Sequence, residues 1–74
     1  MRKLVLTSTY DEEVDAGYIA FDGIAPGEAV RQVVVEDETL GPLSVILDVD
    51  SSGKLLGIEL LGVTSLVARP RFAD

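Results

Sequence analysis

Five short runs of apolar and β-branched residues, separated by residues that favour turns, most constrain what this chain can fold into. The runs are residues 3–9, 17–22, 30–37, 43–50 and 54–62. Their spacing of about ten residues leaves no room for a helix of useful length between them, which predicts an all-β fold. We expect about five antiparallel strands in a meander or a small curled sheet. A short C-terminal helical turn around residues 64–68, ended by Pro70, is also expected.

The 74 residues are expected to form a single domain, with a β core over residues 3–62 and a C-terminal tail over residues 63–74. A domain of this size buries only about 60% of the surface that its unfolded chain exposes. The sequence contains no cysteine, so no disulfide can supplement the core. Stability therefore depends on how well the apolar side chains are covered.

In three of the runs, apolar residues follow one another directly instead of alternating with polar ones. These stretches are residues 33–35, 45–47, 55–56 and 60–61. Because neighbouring side chains of a strand point to opposite faces, both faces of the sheet should be apolar for part of their length. Either the sheet curls into a barrel or another chain covers the second face. Covering ~500 Å² of apolar surface contributes ~12 kcal/mol before association costs, so we expect a homodimer.

Composition excludes several classes of function. Without histidine or cysteine, the chain has no imidazole or thiolate ligand for a transition metal and cannot build a Ser-His-Asp or Cys-His site. The formal net charge of −7 opposes binding to a nucleic-acid backbone. No apolar stretch approaches the ~20 residues of a membrane-spanning helix, and no signal peptide follows Arg2 and Lys3. We expect a cytoplasmic protein with no membrane or nucleic-acid partner, no cofactor and no catalytic residue.

Residues 48–59, DVDSSGKLLGIE, match the ligand spacing of an EF-hand calcium loop. The matching positions 1, 3, 5, 6 and 12 are Asp48, Asp50, Ser52, Gly53 and Glu59. The flanking runs favour strands, however, and an extended strand places Glu59 about 20 Å from the tip of a turn at Gly53. We therefore interpret the segment as a hairpin turn, with Asp50 and Ser51 at its start and Gly53 at a position of positive φ.

Acidic side chains leave one alternative open, a carboxylate-based site for a divalent cation or a metal-dependent enzyme built on it. Its candidate ligands are Asp11, Asp15, Asp48 and Asp50. Asp48 and Asp50 alone would form only a shallow cation site. For Asp11 and Asp15, we favour a solvated hairpin loop in which both accept hydrogen bonds from local amides, since no nucleophile or cation stands nearby. We predict no metal site.

Two tyrosines and a glutamate within the runs admit both structural and functional interpretations. Tyr10 and Tyr18 could flank a ligand pocket, but we expect them to pack their rings across neighbouring strands and keep their hydroxyl groups in water. Glu59 interrupts an apolar run. We expect it to face solvent rather than to pair with Arg31 or with a basic residue of a partner.

Two motifs, in this order, are similar to those of a family of small prokaryotic proteins. The first lies in YDEEVDAGYIAF, residues 10–21, and consists of Tyr10, Asp11, Asp15 and Tyr18. The second consists of Gly53, Gly57, Ile58 and Glu59. Over about residues 3–62 the chain resembles the family catalogued as domain of unknown function 2283. It departs from the family at Gly17, where a larger apolar residue is usual, and at Val63, Thr64 and Ser65, where a different polar run is common. The first departure is expected to weaken packing beside Tyr18.

The resemblance implies no activity, cofactor or catalytic residue, and the role of the motif residues is unknown. Some members of the family are similar to partners of small toxin-like proteins in their gene arrangement, which implies an antitoxin-like binding role. From the residues, we expect a non-catalytic protein–protein interaction module that forms a homodimer or binds another small protein through its apolar sheet face or an open edge. The alternative is the cation-binding protein or metal-dependent enzyme.

Overall fold

The computed structural model describes residues 1–21 and 24–74, which form one open antiparallel sheet. The strands are β1 (Thr7–Asp11), β2 (Ala16–Ala20), β3 (Arg31–Val34), β4 (Val45–Val49) and β5 (Leu55–Leu61), followed by the helical turn α1 (Val63–Leu66). The predicted all-β fold with five antiparallel strands is confirmed, and so is the C-terminal helical turn. The second predicted run reaches Asp22, which lies outside the described residues.

The strands lie in the order β1-β2-β5-β4-β3, which the sequence pattern did not determine. The β1–β2, β3–β4 and β4–β5 pairs are each made of strands that follow one another in the chain. The connection from β2 to β3 instead runs to the far side of the sheet, and β5 returns to pair with β2. As a result, β1 and β3 form the two open edges.

The β4–β5 connection is the hairpin turn that the DSSG sequence predicted. The amide of Gly53 donates to the backbone oxygen of Asp50 at 3.0 Å, and Gly53 has a φ of 84°. The Asp50 carboxylate accepts hydrogen bonds from the amides of Ser52 and Lys54, each at 2.9 Å. These contacts close the turn by local hydrogen bonding of an aspartate, which is the usual reason for aspartate at the start of a turn.

The strand register divides the sheet into two chemically different faces. We call one the apolar face; its central side chains are Ile19, Val33, Val45, Leu47, Val49, Ile58 and Leu60. We call the other the polar face; it carries Thr7, Thr9, Asp11, Tyr18, Gln32, Asp48 and Glu59, with Ile46, Val34 and Leu61 among them. Consecutive apolar residues therefore do point to opposite faces, but the apolar character is concentrated on one face.

Only a small second layer covers the apolar face. Val63 of α1 packs against Gly17, and the Phe72 ring in the C-terminal tail stacks on Tyr10 with a centroid distance of 4.3 Å. The tail leaves a cleft of about 890 Å³ between itself and the sheet, which Ile19 also lines. Among the described residues, only Val49 and Val63 are buried apolar side chains. The part of the chain that the structure describes thus shows no packed second layer of the kind that normally completes a domain.

Candidate functional site

The two sequence motifs meet on the polar face, around the ring of Tyr18. Tyr18 in β2 pairs with Glu59 in β5, and the Tyr18 ring extends over Gly57, which also lies in β5. An added Cβ on Gly57 would lie 2.6 Å from the Cζ atom of the Tyr18 ring. The Tyr18 hydroxyl then donates to Asp48 in β4 at 2.6 Å. Glycine at position 57 is therefore required by a close approach of the tyrosine ring that links three strands.

Asp48 is the acceptor at the centre of this arrangement. Its second oxygen accepts a hydrogen bond from the side-chain amide of Gln32 in β3 at 3.2 Å. Burial and the hydrogen bond to Asp48 raise the pKa of Tyr18 to about 12, and the negative charges of Asp48 and Glu59 contribute. The hydroxyl is thus held protonated as a donor. The ring packs across strands, as we expected, and its hydroxyl makes a hydrogen bond to Asp48 that we did not predict.

Glu59 lies on the polar face between Tyr18 and Ile46 and is half-buried. Arg31 occupies the opposite face, because its pairing partner Val49 belongs to the apolar face. Alternation along the strands therefore excludes an ion pair between Glu59 and Arg31 within one copy of the chain.

Asp15 joins the β1–β2 connection to the start of α1. Its backbone oxygen accepts the amides of Gly62 and Val63, each at 3.0 Å, and its carboxylate accepts the Thr64 amide at 3.2 Å. The carboxylate also accepts the hydroxyl groups of Thr64 at 2.6 Å and of Tyr10 at 2.7 Å. These hydrogen bonds, those from Thr64 first, lower the pKa of Asp15 below its usual value. One aspartate thus binds three consecutive amides and two hydroxyl groups.

The Asp15 contacts differ from the local amide contacts that we expected of it. Asp11 does behave as expected, since its carboxylate accepts the amide of Glu13 at 3.0 Å. Asp15 instead bonds to Thr64, which is 49 residues away. It has a φ of 54°, a left-handed conformation that aspartate tolerates better than most residues. This conformation turns the chain so that its carbonyl and carboxylate face α1.

Gly17, where the chain departs from the family pattern, lies directly under Val63. A Cβ on Gly17 would be 3.0 Å from the Cγ2 atom of Val63 and 3.6 Å from the backbone oxygen of Thr9. We expected this glycine to weaken packing beside Tyr18. The structure shows that Val63 fills the space on the apolar face, while Tyr18 packs on the other face over Gly57.

The four carboxylates considered as cation ligands lie in different parts of the structure. Asp11 and Asp15 flank the β1–β2 connection, Asp48 bonds to Tyr18 on the polar face, and Asp50 closes the β4–β5 turn. Glu59 projects from the middle of β5, so the EF-hand spacing does not correspond to an EF-hand geometry. Within residues 1–21 and 24–74, no group of three or more carboxylates is placed to hold a metal ion.

Comparison with known proteins bears on the motifs directly. The family model described as "Protein of unknown function (DUF2283)" matches residues 8–63, from β1 to the first residue of α1. The chain belongs to the DUF2283 family. No curated protein and no solved structure matches it. In this DUF2283 protein, the match contains β2 to β5 and all of β1 except Thr7, whereas residues 1–7 and most of the C-terminal tail lie outside it.

Several residues that carry the geometry had no separate signal in the sequence. Thr64 lies in the predicted helical turn and Val63 directly before it, and both belong to a run in which the chain departs from the family pattern, but no contact is predicted for either; Gln32 is one polar residue in a valine-rich run. The roles of Val63 and Thr64 depend on the pairing of β2 with β5, which brings residues about forty positions apart into contact, and that of Gln32 depends on the pairing of β3 with β4. The motif tyrosines and Asp15 were found as a pattern, but the partners of each became visible only with the strand order.

None of the α-helical segments in the described part of the chain has the length and apolar character needed to cross a membrane.

Proposed function

We propose that this DUF2283 protein is a non-catalytic interaction module that acts as a homodimer, with the apolar face of one copy packed against that of the other. The observation that carries the proposal is the lack of a second layer over the apolar face. A sheet with one hydrophobic face is stable in water when another element covers that face. Within residues 1–21 and 24–74, α1 and the tail cover part of this face, and most of its apolar side chains stay half-buried or exposed.

The surface area of the chain supports the same conclusion. A folded monomer of 7.9 kDa is expected to expose about 4,400 Å², whereas this chain exposes 6094 Å². The difference is about 1,700 Å², and residues 1–6, which are all exposed, contribute to it. It is about twice the ~800 Å² that a standard interface buries on each partner. The Cα radius of gyration, 13.0 Å, likewise exceeds the ~11 Å expected for a compact chain of this length.

The distribution of charge makes a second copy a suitable partner. The chain carries a net charge of −7, so most of its surfaces would repel another copy. The strand carboxylates Asp11, Asp48 and Glu59 all lie on the polar face. By the register, the strand positions of the apolar face contain no carboxylate, and Arg31 at the β3 edge is their one charged residue. The strand positions of two apolar faces can therefore meet without bringing carboxylates together, while Glu12 and Asp74, with Arg69 and Arg71, line the cleft beside them.

An aspartate at the centre of the apolar face tests this proposal. Leu47 and Ile46 are neighbours in β4 and are both half-buried, but they point to opposite faces. Leu47→Asp should convert the dimer to a monomer or prevent folding, because it buries a charge in the proposed interface. Ile46→Asp is the matched control and should leave the dimer intact. Light scattering on eluting protein gives the mass, and circular dichroism reports whether each variant is folded.

The dependence of the melting temperature on protein concentration tests the proposal even if Leu47→Asp fails to fold. The melting temperature of a dimer that unfolds to monomers rises with protein concentration, whereas that of a monomer does not. We expect the unmodified chain to show such a rise between micromolar and millimolar concentrations. A dimer that survives Leu47→Asp, or a melting temperature independent of concentration, contradicts the proposal.

The antitoxin-like role that the family resemblance implies would use the same surface for a different protein. In that case a toxin-like partner would take the place of the second copy on the apolar face. We propose self-association because the charge distribution favours a second copy. The proposal places the protein in the cytoplasm, and a cysteine-free chain is compatible with a reducing compartment.

A further inference from the structure

An apolar segment at the N-terminus projects beyond the sheet. We call residues 2–6, RKLVL, the N-terminal arm. The sequence predicts that the first strand begins at residue 3, yet β1 begins at Thr7 because its neighbour β2 ends opposite that residue, at Ala20. Leu4 and Val5 are 73% and 81% exposed. A segment with strand-forming residues thus continues β1 without a pairing partner among the described residues.

The opposite edge of the sheet has a complementary sequence. The amide of Val35, just after β3, donates inward to the backbone oxygen of Val45. Alternate amides of a strand point to opposite sides, so Val34 directs its amide outward from the sheet. Such an open edge is a template for another strand. Three acidic residues, Glu36, Asp37 and Glu38, follow this edge directly.

The arm is too short to reach the β3 edge of its own chain. By the register, Thr7 at the base of the arm lies in the same cross-sheet row as Gln32 in β3, four strands away. Four spacings of ~4.8 Å separate these positions by ~19 Å. The five residues of the arm extend only about 17 Å. No residue would remain to pair with that edge, so an arm that pairs with a β3 edge must use the edge of another molecule.

We propose that the N-terminal arm of one copy adds as an antiparallel strand to the β3 edge of a second copy. Antiparallel addition places Arg2 and Lys3 beside Glu36 to Glu38 and leaves the apolar arm residues next to Val33 and Val34. Parallel addition would place the basic residues near Arg31 instead. Antiparallel addition thus places two of the six basic residues of the chain beside the acidic residues 36–38. Opposite charges at these positions favour this orientation of the arm.

The pairing has a defined register and a two-fold form. With Lys3 opposite Glu36, Val5 lies opposite Val34 and Leu6 lies opposite Val33. If each copy gives its arm and receives that of the other, both β3 edges are covered in one closed dimer. This exchange rests on the proposed homodimer and adds to it a contact outside the apolar face.

Engineered cysteines test the register, since the natural chain contains no cysteine. A Val5→Cys variant is mixed with a Val34→Cys variant under oxidising conditions. We expect a disulfide between the two variants, because residues paired across strands have Cα atoms within the range that a disulfide spans. Val5→Cys mixed with Ser65→Cys, an exposed position in α1, is the control and should give no more cross-linking than chance collisions.

Proline substitutions test the strand pairing without cysteine. In this register Val5 lies opposite Val34, whose amide points outward, so Val5 directs its own amide toward β3; Val5→Pro should therefore weaken the dimer about tenfold or more, and more than Leu4→Pro does. The matched Leu4→Thr and Val5→Thr variants keep the amide and a strand-forming side chain, and should change the dissociation constant less than about threefold. Sedimentation equilibrium measures all four.

The outcomes separate this inference from the homodimer itself. A dimer that forms no Val5–Val34 disulfide and tolerates both prolines overturns the arm exchange and leaves the apolar interface standing. A chain that is monomeric at every concentration overturns both. Cross-linking at Val34 together with a loss of affinity in the Val5→Pro variant supports the exchange.

Discussion

Replacing Gly57 with alanine should destabilise the protein, although the same substitution at an open strand position would stabilise it. Alanine restricts the unfolded chain more than glycine does, which normally contributes about 0.4–1 kcal/mol. At position 57, however, the new methyl group would occupy the space of the Tyr18 ring. The ring must move, and its hydrogen bond to Asp48 is lost.

The magnitude follows from these two contacts. Forcing a methyl group into an occupied space typically costs about 1–3 kcal/mol, including the displaced hydrogen bond. We expect Gly57→Ala to lower the free energy of unfolding by about 2 kcal/mol, which lowers the melting temperature of a domain this small by roughly 10 °C. In a Tyr18→Thr background the space is vacant, so the same substitution should be neutral or stabilising. The coupling energy should therefore be about 2 kcal/mol, well above the ~0.5 kcal/mol error of additivity.

Urea unfolding of the four proteins in this double-mutant cycle provides the measurement. All four must be compared at one protein concentration, because the stability of a dimer depends on concentration. An unchanged m-value would show that the same surface is exposed in each case. If Gly57→Ala destabilises equally with and without the tyrosine ring, the close approach of Tyr18 is not the reason for glycine at this position.

Three further predictions concern Asp15, Tyr18 and the carboxylates considered as cation ligands. Asp15→Ala should lower the melting temperature more than Asp11→Ala, because Asp15 holds the start of α1. The contribution of Asp15 to the free energy of unfolding should be lost as pH falls through the lowered pKa of its carboxyl group. Equal effects of the two substitutions would contradict this role. The pKa of Tyr18 is about 12 in the folded chain and about 10 in the unfolded chain. The stability that this difference contributes is present below pH ~10 and is lost as pH rises toward 12. A pKa difference of two units corresponds to about 2.7 kcal/mol, which solvent screening of a half-buried group reduces to about 1 kcal/mol. In Tyr18→Phe, the free energy of unfolding should therefore change less between pH ~10 and ~12 than in the unmodified protein. The same pH dependence in both proteins would refute the coupling. Calcium, magnesium or manganese at sub-millimolar concentration should leave the melting temperature unchanged, whereas a rise of several degrees would favour the cation-binding alternative.

The sequence contained most of what determines the strands and their turns. The β4–β5 turn is an example, since Asp50 and Gly53 fix it through contacts within a few residues. The bounds of β1 were less accurate, because pairing depends on where the neighbouring strand ends. The apolar arm has the same strand propensity as the residues after it, but β2 ends at Ala20, opposite Thr7, and no pairing of the arm is seen among the described residues.

The partners of the motif residues could not be obtained from sequence patterns. Tyr18 touches Asp48 because β5 lies between β2 and β4, and this order depends on the long connection from β2 to β3. Asp15 binds Thr64 for the same reason, across 49 residues. Local propensity carries no information about such contacts. Local propensity did place Tyr18 within a strand and Asp15 next to one, where cross-strand contacts form.

Sedimentation equilibrium of the unmodified chain tests the central claim most directly. A second copy over the apolar face predicts a particle of twice the 7.9 kDa chain mass at micromolar concentration, dissociating only on dilution. A single species of the chain mass that stays folded from micromolar to millimolar concentration would contradict the account, because its apolar face would then be stable in contact with water.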